Sequence, residues 1–510
     1  MLSKVNSFSL DGLIGYKVDI EIDINAGLPK VEIIGLPDTA IKESAERVTS
    51  SIKNSGYHFP VKRVIVNLAP ADTKKEGSLF DLPIAVGVLV ASGQVFSSTY
   101  KDYVILGELS LDGVLRPING LIAILISGLQ QGYKKFIIPA ENAAEASYIQ
   151  GIEAYCAHTL KEVCEFLGGE SDLQPVQYRT FSEAMKEERY DLDFSDVKGQ
   201  RTAKRAMEIA VAGGHNILLI GPPGAGKSML AKCVTGIMPD LTFEEAIEVT
   251  KVYSIAGLLD EKKGIVTQRP FRTPHHTATI PALVGGGNKA KPGEVSLANA
   301  GVLFLDEVPE YKRQALETLR QPLEDGEITV TRVQQTVKYP ANFMLIGSMN
   351  PCPCGNFGSK KQICTCTPQA IRRYLNRLSG PLLDRIDIQV EVDSVEFADL
   401  RSPAEEETSA VVKERVMRAR EIQRERFQKK PIFTNSDMNN RLIKQYCKIP
   451  VEAEDMMETA FRKLALSARA SFRILKVART IADLEGKKDI ETAHVAEAIQ
   501  YRSLDRKYFS

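Results

Sequence analysis

Residues 221 to 228 read Gly221-Pro222-Pro223-Gly224-Ala225-Gly226-Lys227-Ser228, directly after the apolar run Ile217 to Ile220 and directly before the helical pattern Met229 to Ile237. Glycines at this spacing let backbone N–H groups converge on phosphate oxygens at a helix N-terminus. Lys227 then supplies charge to the β and γ phosphates, and Ser228 offers its hydroxyl to Mg²⁺. The chemistry is that of ATP and Mg²⁺. Downstream, Gly301-Val-Leu-Phe-Leu-Asp306-Glu307 is a buried-strand run ending in two carboxylates. Asp306 suits the Mg²⁺ shell, and Glu307 suits polarising the attacking water, because open α/β sheets present ligands at the carboxyl ends of their strands. A third apolar run, from Phe343, ends at Asn350. That amide could orient the water or sense the γ phosphate; its plainer reading is an Asn opening the turn at Pro351.

Two further groups carry chemistry. Cys352 and Cys354, then Cys364 and Cys366 after nine intervening residues, supply four thiolates, enough for one tetrahedral Zn²⁺. Reduced free thiols or a redox role are the alternatives. If zinc binds, four protein ligands leave no open position for a reacting water, so its role would be structural. Arg269, Arg272, His275, His276, Lys289 and Lys291 flank Gly285-Gly286-Gly287. Such a flexible basic loop could touch DNA phosphates without reading bases. The paired histidines also suit packing or hydrogen bonding, whereas a metal would find no third ligand at fitting spacing.

The elements that must position these residues follow from pattern. A chain of 510 residues exceeds one ordinary core. Residues 1–167 alternate short β-branched runs with helical patterns such as Asp38 to Asn54 and Leu82 to Ala91, which predicts a mixed α/β domain. Residues 168–194 read as a polar linker. Residues 195–395 alternate apolar strands with helices, as a parallel sheet with crossovers requires, and hold the ATPase core and the cysteine cluster. Residues 396–510 are charged and helical in pattern, which predicts an all-helical lid. The fold class expected is α/β throughout the first two domains. Lys+Arg and Asp+Glu both total 65, so nucleic-acid contact must come from a local basic lining rather than the field of the whole molecule. No stretch approaches the roughly 18 apolar residues of a membrane helix, and the first residues lack a basic segment followed by an apolar one. A cytoplasmic protein without membrane contact is expected.

In this order, the nucleotide elements resemble those of AAA+ ATPases, and the words around them resemble the magnesium-chelatase-like ComM/YifB family along nearly the whole chain. Those words are Asp196-Val197-Lys198-Gly199-Gln200, Arg272-Thr-Pro-His-His-Thr277, Pro292-Gly-Glu-Val-Ser-Leu297, Leu378-Ser-Gly-Pro-Leu-Leu-Asp-Arg385 and Ala478-Arg-Thr-Ile-Ala-Asp483. The resemblance implies that Val197 and Gln200 line the nucleotide, that Asn350 is sensor 1 and that Arg385 is an arginine finger reaching a neighbouring subunit. It makes Arg473 the sensor 2 arginine of the lid, with Arg469 as competitor. A finger acting in trans implies a ring. The family implies a homo-hexamer on DNA, a helicase driving branch migration of recombination intermediates in natural transformation. The alternative is a chelatase-type or protein-remodelling ATPase that does not act on DNA.

Residues 1–167 resemble the proteolytic domain of Lon, in the words Asn67 to Gly77 and Gly107 to Gly120. The Ser-Lys dyad of that domain would fall at Leu79 and Ile122. Ser78 stands one position early, which in an alternating strand would turn it to the opposite face. Proteolysis is therefore not expected, and the domain is read as a scaffold.

Overall fold

From Val5 to Ile22 apolar residues tend to alternate with polar ones, and period-two alternation gives a strand one buried face. β1 (Leu2–Asp11) and β2 (Ile14–Asn25) accordingly pair antiparallel, placing Val5, Val18, Ile20 and Ile22 in the core. The strands that follow are β3 (Lys30–Ile34), β4 (Arg63–Ala69), β5 (Tyr103–Ile105), the short hairpin β6 (Glu108–Leu109) and β7 (Leu115–Arg116), β8 (Lys135–Pro139) and β9 (Glu153–Ala157). Seven of them form one sheet in the order β3-β4-β2-β1-β5-β8-β9. It is antiparallel at β1–β2 and β2–β4 and parallel elsewhere. Helix Thr39–Asn54 opens on Asp38, whose carboxylate accepts the Ile41 N–H at 2.9 Å. Helix Asp81–Ala91 is apolar on every side and correspondingly buried. The computed structural model describes residues 2–185, 192–287, 290–332, 335–358, 362–394, 406–430, 432–464 and 467–509.

The chain divides into two compact units, Met1–Glu188 with Thr242–Thr267, and Arg189–Leu241 with Gln268–Ser510. Sequence pattern placed residues 242–267 in the ATPase core; by contact they belong to the first unit. There, helix Phe243–Ala256 packs on helix Leu121–Gln130. Ser254 Oγ accepts the Gly120 N–H at 2.9 Å and donates to Glu145 at 2.8 Å. Burial pushes the Glu145 carboxyl up, against the hydrogen bonds from Ser254 and Asn142.

The environment of Ser78 also differs from expectation. Ser78 to Phe80 form a turn closed by Asp81 N–H to Ser78 carbonyl at 3.1 Å, leading into the buried helix. A turn has no alternating faces, so the facing argument does not apply. The Ser78 hydroxyl donates instead to Glu108. Ile122 lies buried in helix Leu121–Gln130.

The second unit is built on a five-stranded sheet. Its strands are β10 (Ile217–Ile220), β11 (Phe271–Arg272), β12 (Val302–Leu305), β15 (Met344–Met349) and β16 (Ile388–Glu391), ordered β11-β12-β15-β10-β16 and all parallel. Between β12 and β15 stands a hairpin, β13 (Glu327–Arg332) with β14 (Gln335–Pro340). β10, β12 and β15 are buried from end to end, as central parallel strands with covered faces must be. Helices Ser409–Phe427, Asn440–Tyr446, Val451–Leu464, Ala468–Leu484 and Thr492–Gln500 follow. Their apolar faces share one core with the sheet: Val416, Ile474 and Val495 lie in the same cluster as Ile217 and Phe304. The boundary expected at 395/396 falls outside the described residues. No described helix is long and apolar enough to cross a membrane.

Candidate functional site

Parallel β10 ends at Ile220, and helix Lys227–Cys233 begins directly after the Gly-rich loop, so the loop is held between a buried strand and a helix N-terminus. All three glycines of the loop are sterically required. Gly224 (φ 74°) and Gly226 (φ 84°) are in the left-handed region, and a β-carbon at Gly221 would lie 2.2 Å from the Val392 carbonyl oxygen. Lys227 is buried, and its Nζ donates to the carbonyls of Gly221 (2.7 Å) and Pro222 (2.9 Å) and to Asn350 Oδ1 (3.1 Å). Burial lowers its pKa, opposed by the more distant charges of Asp306 and Glu307. An ammonium buried against neutral oxygens beside a glycine cradle fits a phosphate.

Ser228 Oγ donates to Asp306 Oδ2 at 2.9 Å, and Ser348 Oγ donates to the other carboxylate oxygen. A hydroxyl and a carboxylate in contact at the phosphate end of the loop fit a hard divalent cation such as Mg²⁺. Glu307 follows with φ 52° and ψ 49°, a left-handed conformation that costs a non-glycine residue about 1–2 kcal/mol. Its N–H is held by Asp306 Oδ1 at 3.1 Å and Ser348 Oγ at 3.3 Å, leaving the residue exposed at the strand end. Pro223, Gly224, Ala225, Gly226, Lys227, Ser228, Asp306, Glu307, Ser348 and Asn350 thus line one cavity of about 420 Å³. Ser348 escaped the sequence reading; the signal was a hydroxyl inside the buried run of β15.

Beside this cavity is a larger hollow, of about 770 Å³, lined among others by Gln200, Gly221, Pro222, Val392 and Tyr501. Gln200 is left-handed (φ 53°), and its side-chain amide donates to the Asp393 carbonyl. Val197 does not line either cavity; it is buried in the core of the unit.

The two arginines implied by resemblance stand apart from the cavity and are paired. Arg385 is buried, donates to the Pro381 carbonyl at 2.7 Å and forms an ion pair with Glu324. Arg473 pairs with Asp387 at 2.6 Å, and Asp387 in turn meets His215 Nδ1 at 3.2 Å. Burial alone would raise the Asp387 carboxyl, but Arg473 and His215 outweigh it and hold it well below the usual carboxylate range.

Of the basic loop, Arg269 donates to the carbonyls of Pro239 (2.5 Å), Ala300 (2.6 Å) and Asp240 (3.2 Å), and Arg272 makes a two-point ion pair with Glu294 at 2.7 and 2.8 Å. Both guanidinium groups are therefore engaged within the unit, contrary to a free basic lining at these positions. Their carbonyl and carboxylate partners lie far off in sequence, which is why spacing did not reveal them. His275 is exposed, and its ring lies 4.1 Å from that of His276. Lys291 is exposed, and Lys289 lies outside the described residues.

The four cysteines converge. Their Sγ atoms all lie within 4.8 Å of one another, with Cys352 3.3 Å from Cys354 and 3.7 Å from Cys364. Backbone N–H groups of Asn356 and Thr365 hold the Cys354 thiol down, to about 6.

A P-loop, an acidic strand end and an Asn-tipped strand side by side in a parallel sheet define a P-loop ATPase core. The family described as magnesium chelatase, subunit ChlI, matches residues 193–400; its further segments match residues 20–142 and, for the ChlI C-terminal part, 406–502. The chain is 45% identical to the competence protein ComM of Haemophilus influenzae, over 96% of this chain and 95% of that protein. It is 43% identical to YifB of Escherichia coli, over 99% and 98%. To the magnesium-chelatase 38 kDa subunit of Rhodobacter capsulatus it is 25% identical, over 59% of this chain and 84% of that one. The chain belongs to the ComM/YifB family of magnesium-chelatase-like AAA+ ATPases.

Proposed function

We propose that this protein is a hexameric, ATP-driven DNA motor that promotes branch migration of recombination intermediates. The observation that carries the ATPase reading is the convergence of Lys227, the Ser228–Asp306 pair, Glu307 and Asn350 on one cavity. Lys227 meets the β and γ phosphates, exchanging its carbonyl partners for them. Ser228 and Asp306 hold Mg²⁺, whose charge neutralises those phosphates. Glu307, exposed and fixed by its strained backbone, takes the proton of the attacking water, and Asn350 orients that water. The nucleoside occupies the adjoining hollow beside Gln200. Arg385 serves the neighbouring subunit's nucleotide by leaving Glu324, and Arg473 reaches its own by leaving Asp387; both stabilise transition-state charge. The four cysteines hold structural Zn²⁺. His275, His276, Lys289 and Lys291 approach DNA phosphates in the ring's channel.

Support for DNA as substrate is the 45% identity to a protein named for competence, a process of DNA uptake. A second reading, remodelling of a protein or a metal complex, is favoured by the internal pairing of Arg269 and Arg272. A labelled four-way junction separates the two. Conversion to forked products with ATP, and none with a non-hydrolysable analogue, is the outcome expected of the motor. An intact junction under both conditions overturns it.

A further inference from the structure

A tetrahedral Zn²⁺ with Zn–S bonds of about 2.3 Å places its sulfurs about 3.8 Å apart. Here the separations are 3.3 Å, 3.7 Å and, between Cys354 and Cys364, 3.6 Å, with Cys366 inside the same 4.8 Å group. The setting of this cluster carries more than its spacing. Cys352 stands two residues after Asn350, whose side chain accepts from Lys227. Directly after Cys354 comes Gly355, with φ 80°, and a β-carbon there would lie 2.4 Å from Cδ of Pro223 in the P-loop. The turn between the thiolate pairs is therefore pressed onto the phosphate-binding loop. Phe357 then donates its N–H to Cys352 Sγ at 3.3 Å and sets its ring edge-on to Tyr508, centroids 6.3 Å apart. Pro351, Gly355, Phe357 and Tyr508 all wall the larger hollow beside the P-loop.

We propose that the metal held by Cys352, Cys354, Cys364 and Cys366 fixes one wall of the nucleotide site, so that metal occupancy sets ATP affinity. The segment 350–366 has few apolar residues with which to hold itself, and Ile363 among them is exposed. Four thiolates on one ion supply the constraint that a core would otherwise give. Without it, the turn at Gly355 loses its seat on Pro223, and Phe357 no longer closes the hollow. The inference rests on the reading that ATP occupies these two cavities.

The test uses the full chain purified without chelator. Elemental analysis should find about one zinc per chain, and replacement by Co²⁺ should give the strong visible absorption of a tetrahedral thiolate complex. The double variant Cys364→Ser/Cys366→Ser should lose the metal and bind a fluorescent ATP analogue roughly 10- to 100-fold more weakly. Gly355→Ala should keep the metal, and so remain informative should the double variant not fold, yet also bind the analogue more weakly. Purified protein without metal, or metal-free and Gly355→Ala proteins with the parent's affinity, would overturn the proposal. A parent protein that binds no analogue, like Lys227→Ala, would instead remove the nucleotide reading beneath it.

Discussion

At the scale of residues, the site works by holding charged groups against neutral hydrogen-bond partners. Lys227 is buried against neutral oxygens, so a phosphate is its natural charged partner. Lys227→Ala should abolish nucleotide binding in equilibrium dialysis with labelled ATP. Glu307→Gln keeps the cradle and removes the base, so dialysis should show ATP bound as before while turnover falls by about 10²–10⁴-fold. Equal turnover in parent and variant would mean that Glu307 is not the base. Ser348 holds one oxygen of Asp306 while Ser228 holds the other. Ser348→Ala should therefore raise the Mg²⁺ concentration required for half-maximal turnover, by roughly tenfold, the lower end of what outer-shell changes cost. An unchanged Mg²⁺ titration would leave Ser348 with a purely structural part.

At the scale of elements, the start of β16 and helix Ala468–Leu484 are joined through Asp387, which meets both Arg473 and His215. Removing one member of a buried ion pair leaves the rest uncompensated, a loss of about 3 kcal/mol. Asp387→Asn should thus lower the thermal midpoint of the full chain at neutral pH. The sign of the pH dependence follows from the depressed folded-state carboxyl. Its stabilisation is complete above the unfolded value of about 3.9 and disappears as pH falls below that toward the folded value. The acid loss of stability below about pH 4 should accordingly be shallower in Asp387→Asn than in the parent. Identical acid profiles would place the coupling elsewhere.

Much at this scale was legible in the sequence, because it is local. Strand, glycine loop and helix follow one another without interruption at residues 217 to 233, and the acidic end of β12 and the Asn after β15 each close an apolar run. What stayed hidden depends on partners distant in sequence. Glu324 and Glu294 capture Arg385 and Arg272, and nothing in the spacing of those arginines announces it. Val197 reads as a nucleotide contact by resemblance but packs into the core, since an apolar side chain gains more from burial there. Helix Phe243–Ala256 follows the P-loop region in sequence yet belongs to the N-terminal unit, where Ser254 serves buried Glu145. The cysteine cluster was legible as a metal site, but its seat on Pro223 was not.

At the scale of the whole molecule, the balance of 65 basic and 65 acidic residues provides no general attraction to a polyanion. On the proposed function, DNA phosphates would be met by a small local set of side chains, among them His275, His276 and Lys291, so binding should show a shallow dependence on salt. Each phosphate neutralised contributes about 0.9 to the slope of log affinity against log salt on duplex DNA. The most direct measurement of the central claim is ATP turnover with and without single-stranded, duplex and four-way-branched DNA at one fixed salt concentration, with Lys227→Ala as blank. Strong stimulation, greatest with branched DNA, is the result expected of a recombination motor. Turnover unchanged by every DNA would contradict that account and leave a remodelling ATPase whose substrate is not nucleic acid.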